Sequence, residues 1–204
     1  MSEINMWEIE NLHFEKGIQL ICGVDEAGRG PLAGPVCSAA VILPPHAQIP
    51  GLNDSKKLSD KRHRELFPVI KEQAIAYGIG IATEAEIDEI NILQATFLAM
   101  ERAIALLGVK PELALIDGNR EKDFGIPVQT VIKGDSRSAS IAAASILAKV
   151  TRDDMMLELA KDYPQYGFEI HKGYGTKAHY AALTEHGPSP IHRMTFLKKF
   201  YGNQ

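Results

Sequence analysis

One stretch constrains the fold more than any other: Gln19 to Pro35. In it a short apolar run, Gln19-Leu20-Ile21-Cys22-Gly23-Val24, closes on two adjacent carboxylates and passes into a glycine-rich turn with one arginine. An apolar run this short, bounded by turn formers, predicts a buried strand with Asp25 at its end. Side chains alternate faces along a strand, so Asp25 and Glu26 can share a site only if the chain bends or bulges there. Gly28 and Gly30 permit such a bend, and without a Cβ they let a ligand approach the backbone. An Asp-Glu pair taken alone is more often a solvated turn. Two carboxylates closing an apolar run, followed by an arginine framed by glycines, point instead to a divalent-cation site beside a phosphate or sugar site.

The rest of the chain supplies partners for that strand. An amphipathic opening helix spans Glu3 to Glu15. Val36 to Leu43 reads as a second strand, ended by Pro44-Pro45 and paired antiparallel with the first. Ser59 is a good N-cap for a helix from Asp60 to about Tyr77, and Tyr77 to Ala82 alternates like a third strand. Thr83 begins another helical segment, and a longer one runs from Leu93 to Leu107 with Phe97, Met100, Ile104 and Leu107 on one stripe. Glu112 to Ile116 is a short strand ending in Asp117; Val128 to Ile132 is a fifth, leading to Lys133-Gly134-Asp135. From Ser136 a long helix rich in small residues extends to Tyr163. The loop His171 to Thr176 then precedes helices at Lys177 to His186 and Met194 to Phe200. Three early strands, then helices alternating with two more, predict an α/β fold with a mixed five-stranded sheet flanked by helices and a helical C-terminal segment.

With 204 residues and 45% hydrophobic content, a single domain over 1–204 with one core is expected, with residues 1–18 as an N-terminal helical extension and about 164–204 as the C-terminal segment. The acidic N-terminus lacks the pattern of a signal peptide, and no apolar run approaches about 18 residues, so a soluble, cytoplasmic protein without a membrane span is expected. Cys22 and Cys37 both fall in predicted strands and read as small buried hydrophobes. The formal charge of −4 argues mildly against a nucleic-acid partner. Its distribution matters more: Lys56-Lys57, Lys61 to Arg64, Lys133, Arg137, Lys149, Arg152, Lys172, Lys177 and His192-Arg193 could line one face.

Asp25, Glu26, Asp117 and Asp135 are the acidic residues at predicted strand ends, and carboxylates brought to one sheet edge build an oxygen-rich pocket suited to Mg²⁺ or Mn²⁺. Asp117 could equally be a turn residue, as could Asp135. Asp153 competes for the fourth place, but its position inside a helix favours an exposed or salt-bridged role. Ser136, Arg137 and Ser138 start a helix, where they could cap it or face a phosphate. Thr176 could be a helix N-cap.

The run DEAGRGPLAGPV resembles the signature of ribonuclease HII, the bacterial type 2 ribonuclease H. The segments DSKKL, DGN with the later KGD, and HKGYGT match in order, covering about Gln19 to Lys199. The resemblance implies a ribonuclease H-like fold. It implies a four-carboxylate catalytic and metal site at Asp25, Glu26, Asp117 and Asp135, working with two Mn²⁺ or Mg²⁺ ions. It assigns substrate contact to Gly28-Arg29-Gly30 through backbone groups and the arginine, phosphate contact to Ser55, Lys56 and Lys57, and stacking on the sugar after the ribonucleotide to Tyr174. Closely approaching amides can test for a 2′-hydroxyl, the group that separates RNA from DNA. The implied substrates are RNA/DNA hybrids and ribonucleotide-containing duplex DNA, cut by a monomer on the 5′ side of the ribonucleotide. Another two-metal nuclease of the same fold, or an inert nucleic-acid-binding domain, is the alternative.

Overall fold

The computed structural model describes residues 5–52 and 58–202. Its centre is a five-stranded sheet made of β1 (Ile21–Ala27), β2 (Val36–Ile42), β3 (Ala76–Ala82), β4 (Leu113–Asp117) and β5 (Val128–Val131). The spatial order is β3-β2-β1-β4-β5. β1 pairs antiparallel with β2, and β2 with β3; β1 to β4 and β4 to β5 are parallel. The first strand of the sequence is therefore the central one, and the mixed sheet stands as expected.

Helices cover both faces. On one face α3 (Glu84–Ala105) packs Phe97, Met100 and Ala103 on Val24, Ala40 and Ile116. On the other, α4 (Ala139–Asp162) presses its alanine-rich side on β1, β2 and β4, with α2 (Asp60–Gln73) beside it. The approach is close because Gly23 has no side chain: a Cβ there would fall 2.0 Å from the Ser140 carbonyl carbon. The short α1 (Glu8–Phe14) docks at the start of α4. Its Glu10 carboxylate, fully buried, accepts hydrogen bonds from the Ser138 hydroxyl at 2.7 Å and the Ser140 amide at 3.1 Å.

The C-terminal part, with α5 (Phe168–His171), α6 (Lys177–His186) and α7 (Met194–Tyr201), forms a separate apolar cluster around Tyr166, Phe168, Leu183 and Leu197. That cluster also contains Leu32 and Ala33 from the β1–β2 loop and Met156 from α4.

Several boundaries differ from the sequence expectation. β1 does not stop at Asp25. The ladder with β2 continues in register through Glu26 and Ala27, so there is no bulge at the carboxylate pair. α2 ends at Gln73, because Ala74 is extended and Ala76 already pairs with Ile42. The two segments expected after Thr83 form α3 with a kink at Asn91 (φ 66°), whose Oδ1 accepts from the Leu93 and Gln94 amides and so caps the second half. The long helix begins at Ala139, preceded by a 3-10 turn over Gly134–Ser136.

Candidate active site

The carboxylates gather where the parallel strands β1 and β4 end. In register, Val24 lies beside Ile116, so Asp25 and Asp117 follow at neighbouring positions. Both belong to the face that packs on α4, since Gly23 lies against Ser140 and Leu115 packs on Ile141. Glu26 alternates to the α3 face, where it shares a crevice with Asp117, Leu93 and Phe97. Asp117, the last residue of β4, is close to both: its charge is felt by Asp25 on one face and by Glu26 on the other.

The electrostatics follow from that crowding. Asp25 is 5% exposed, and burial holds its carboxyl well above the usual range, with Glu26 and Asp117 pushing it further up. The Ser145 side chain on α4 partly offsets this by hydrogen bonding to Asp25. Glu26 is raised mainly by burial and also by Asp117, opposed by the Arg29 guanidinium 3.1 Å away. The Gly134 amide donates to Asp117 Oδ1 at 2.6 Å, which ties β4 to the turn that carries Asp135. Asp135 itself is 1% exposed at the head of α4. Among the described residues, no three Asp, Glu, His or Cys side chains converge as a preformed metal cage.

Beside the carboxylates a cleft of about 330 Å³ is lined by Glu26, Gly28, Arg29, Gly30, Lys149 and Tyr174, with His63 and Ser145. The β1–β2 loop and the loop before α6, distant in sequence, therefore reach one cleft. Tyr174 is 46% exposed. A larger, mainly apolar groove of about 620 Å³, lined by Phe67, Ile81 and Met155, contains none of the clustered acids and lies apart from this chemistry.

Gly28 has φ +95°, a left-handed conformation that favours glycine, and a Cβ on it would meet Arg152 Nε at 2.0 Å. Arg152 is 1% exposed and Arg193 fully buried, so neither these two nor the buried His192 can line a charged face, contrary to the sequence expectation. Both arginines serve the backbone. Arg152 donates to the carbonyls of Pro35, Ala33 and Lys172. Arg193 donates to those of Gly34 (2.9 Å), Arg29 (3.0 Å) and Gly28 (2.6 Å).

Asp153 pairs with Lys149 at 2.7 Å one helical turn away, the salt-bridged role expected of it. Ser138 and Thr176 are N-caps, accepting from the Ile141 and His179 amides, and Ser138 is buried away from any phosphate. Ser55, Lys56 and Lys57 lie outside the described residues. Cys22 and Cys37 are free and buried, and burial pushes both thiols up to about 12. Ser145, His179 and the bracing role of Arg152 and Arg193 escaped the sequence reading. Only Ser145 left a trace: it falls two turns after Ser138 on the same sheet-facing side of α4.

Comparison with known proteins gives the family and the fold. The ribonuclease HII family model matches residues 22–199. Ribonuclease HII of Endomicrobium trichonymphae is 56% identical over 193 residues, covering 94% of this chain and 92% of the relative. That of Dechloromonas aromatica strain RCB is 60% identical over 179 residues, covering 88% and 91%. In structure the chain is similar to one in the PCNA:RNase HII complex from Archaeoglobus fulgidus (TM-score 0.72, 26% identity, 86% and 94% covered). It is also similar to ribonuclease H2 from Pyrococcus horikoshii OT3 (TM-score 0.71, 26% identity, 90% and 99% covered). A family match over nearly the whole chain, on a ribonuclease H-like mixed sheet of five strands, places this protein in the ribonuclease HII family.

Proposed function

We propose that the protein is a divalent-metal-dependent endonuclease that hydrolyses the RNA strand of RNA/DNA hybrids. It also incises on the 5′ side of single ribonucleotides in duplex DNA, leaving 3′-hydroxyl and 5′-phosphate ends. The observation that carries this reading is the meeting of Asp25, Glu26 and Asp117 beside a cleft shared by Gly28-Arg29-Gly30 and Tyr174.

The donor set fits hard cations. Carboxylates that raise one another's proton affinity hold excess negative charge that a cation would relieve. Mn²⁺ and Mg²⁺ take oxygen ligands, and Mg²⁺ keeps several waters and completes its coordination with substrate phosphate, so a few carboxylates suffice. Asp25, Glu26, Asp117 and Asp135 would hold two Mn²⁺ or Mg²⁺ ions, which when bound activate water and stabilise the leaving oxygen.

The chain's own groups supply position. Arg29, half exposed and paired with Glu26, presents a guanidinium at the cleft wall where a phosphate would lie. The Gly28 to Gly30 backbone lets a ribose come near enough for its amides to sense a 2′-hydroxyl. Tyr174 offers a ring face to the following sugar. Ser55, Lys56 and Lys57 keep the phosphate role that the family resemblance implies. The reading extends to a monomer at work in a reducing cytoplasm, in keeping with two free thiols.

The test is a duplex containing one ribonucleotide, incubated with Mn²⁺, Mg²⁺ or chelator. Metal-dependent cutting 5′ of the ribonucleotide is expected. Cutting in chelator, or equal cutting of all-DNA duplex, would overturn the reading.

A further inference from the structure

Two buried networks converge on one short turn, Ser189–Arg193. Its last residue, Arg193, is fully buried and bonds through Nε and both terminal nitrogens to main-chain carbonyls of the β1–β2 loop. The turn is stitched to that loop as well: the Arg193 amide donates to the Leu32 carbonyl at 2.8 Å, and the Gly34 amide to the Ile191 carbonyl at 2.9 Å. In a trans peptide the C=O and N–H point in opposite directions. Arg193 draws the Gly28 and Arg29 carbonyls inward, so the N–H groups of Arg29 and Gly30 turn toward the cleft.

The neighbouring residue acts on the other side. The Ser189 amide donates to His192 Nδ1 at 2.9 Å, so the proton of neutral His192 sits on Nε2. His192 Nε2 is 2.9 Å from His179 Nε2, which must then accept. His179 in turn carries its proton on Nδ1 and donates to the Tyr174 carbonyl, 3.0 Å away. His171 locks the same loop. It stacks on His179 at 4.6 Å, accepts from the Gly173 amide at 3.2 Å through Nδ1, and donates from Nε2 to the Tyr166 carbonyl at 2.8 Å. Backbone partners thus fix the tautomer of each ring: amides donate to His192 and His171, and the Tyr174 carbonyl accepts from His179.

We infer that Ser189–Arg193 is a positioning strut that sets the spacing between the two elements reading the substrate: Arg193 orients the Gly28-Arg29-Gly30 amides, and His192, through His179, holds Tyr174. This rests on the substrate roles proposed above for those elements. Neither His192 nor Arg193 touches substrate, since both are buried. Their influence is on register, and it should be felt most where a single ribonucleotide offers one productive register and least on a long hybrid that offers many.

The experiment is a double-mutant cycle under single-turnover conditions, on both substrates, with folding checked by thermal melting. His192→Phe keeps an aromatic ring among Tyr166 and Phe168 but deletes the relay. It should slow cleavage at a single ribonucleotide about tenfold, and the long hybrid several-fold less. In a Tyr174→Ala background the same change should add nothing. His192→Gln, which restores a donor near the Nε2 position, should recover most of the rate. Additive losses in the cycle, or equal losses on the two substrates, would overturn the strut while leaving Tyr174 as a contact. No effect of Tyr174→Ala itself would overturn the substrate role of Tyr174 and the His192 arm with it. Should His192→Phe not fold, Arg193→Lys carries the comparison, keeping the charge but losing the three-way grip. It is expected to show the same substrate-dependent loss, and equal loss on both substrates would again sink the inference.

Discussion

Gly30 faces the ring of Tyr174: a Cβ placed on the glycine would lie 3.6 Å from the tyrosine Cε1. The β1–β2 loop and the loop before α6 therefore face one another across the cleft they line, and they are joined behind it where the Leu32 amide donates to the Gly173 carbonyl at 2.8 Å.

From that position, Tyr174→Ala is expected to impair cleavage at a single ribonucleotide more than cleavage within a long hybrid. Losing an aromatic stack costs about 1–3 kcal/mol, or roughly ten- to a hundredfold in rate when expressed in the transition state. Single-turnover rates on both substrates at saturating enzyme measure it. Equal losses would make Tyr174 a general positioning residue.

Asp117→Asn should separate function from stability. Asparagine keeps an Oδ1 acceptor for the Gly134 amide but removes a charge that repels Asp25 and Glu26. The variant should melt at or above the wild-type temperature, with a gain of roughly 1 kcal/mol, while turnover falls about a hundredfold or more, as for loss of a metal-supporting group. A destabilised variant with wild-type turnover would contradict both the repulsion and the ligand role.

Lys149→Ala should cost stability. Its ammonium stands 2.7 Å from Asp153, whose side chain is only 6% exposed. Removing the lysine leaves a buried carboxylate unpaired, at a cost of about 1–3 kcal/mol. Adding Asp153→Asn should recover much of the lost stability, which denaturant unfolding of the single and double variants would reveal. If the second change lowered stability further, the pair would not be the cause.

The histidine network predicts acid sensitivity. Burial, with help from His179, holds His192 down at about 4 against an ordinary 6.5, and His179 is lowered too. A depressed folded pKa means the unfolded chain takes up protons first, so stability is intact above about 6.5 and declines as pH falls toward about 4. For His192 the loss approaches roughly 3 kcal/mol at full titration. The raised carboxyls of Asp25 and Glu26 act with the opposite sign. The comparison should therefore be against His192→Phe, whose melting temperature should fall less steeply between these pH values. Parallel curves would refute the assignment.

The sequence by itself determined the strands, the mixed sheet and the residues worth watching. A buried strand is a short apolar run, and a carboxylate closing one is visible in the letters, as at Val24-Asp25-Glu26 and Ile116-Asp117. Capping is equally local, and Ser59, Thr83 and Thr176 cap where the letters place them. What only the tertiary structure decided is long-range. That Asp25 and Asp117 stand side by side depends on the parallel pairing of β1 with β4, and the ladder of β1 with β2 passes the Asp25-Glu26 pair without a bulge. That Arg152, His192 and Arg193 face inward depends on carbonyls far away in sequence. A buried arginine and a solvated one are the same letter, and what separates them is whether folding brings enough acceptors to replace water.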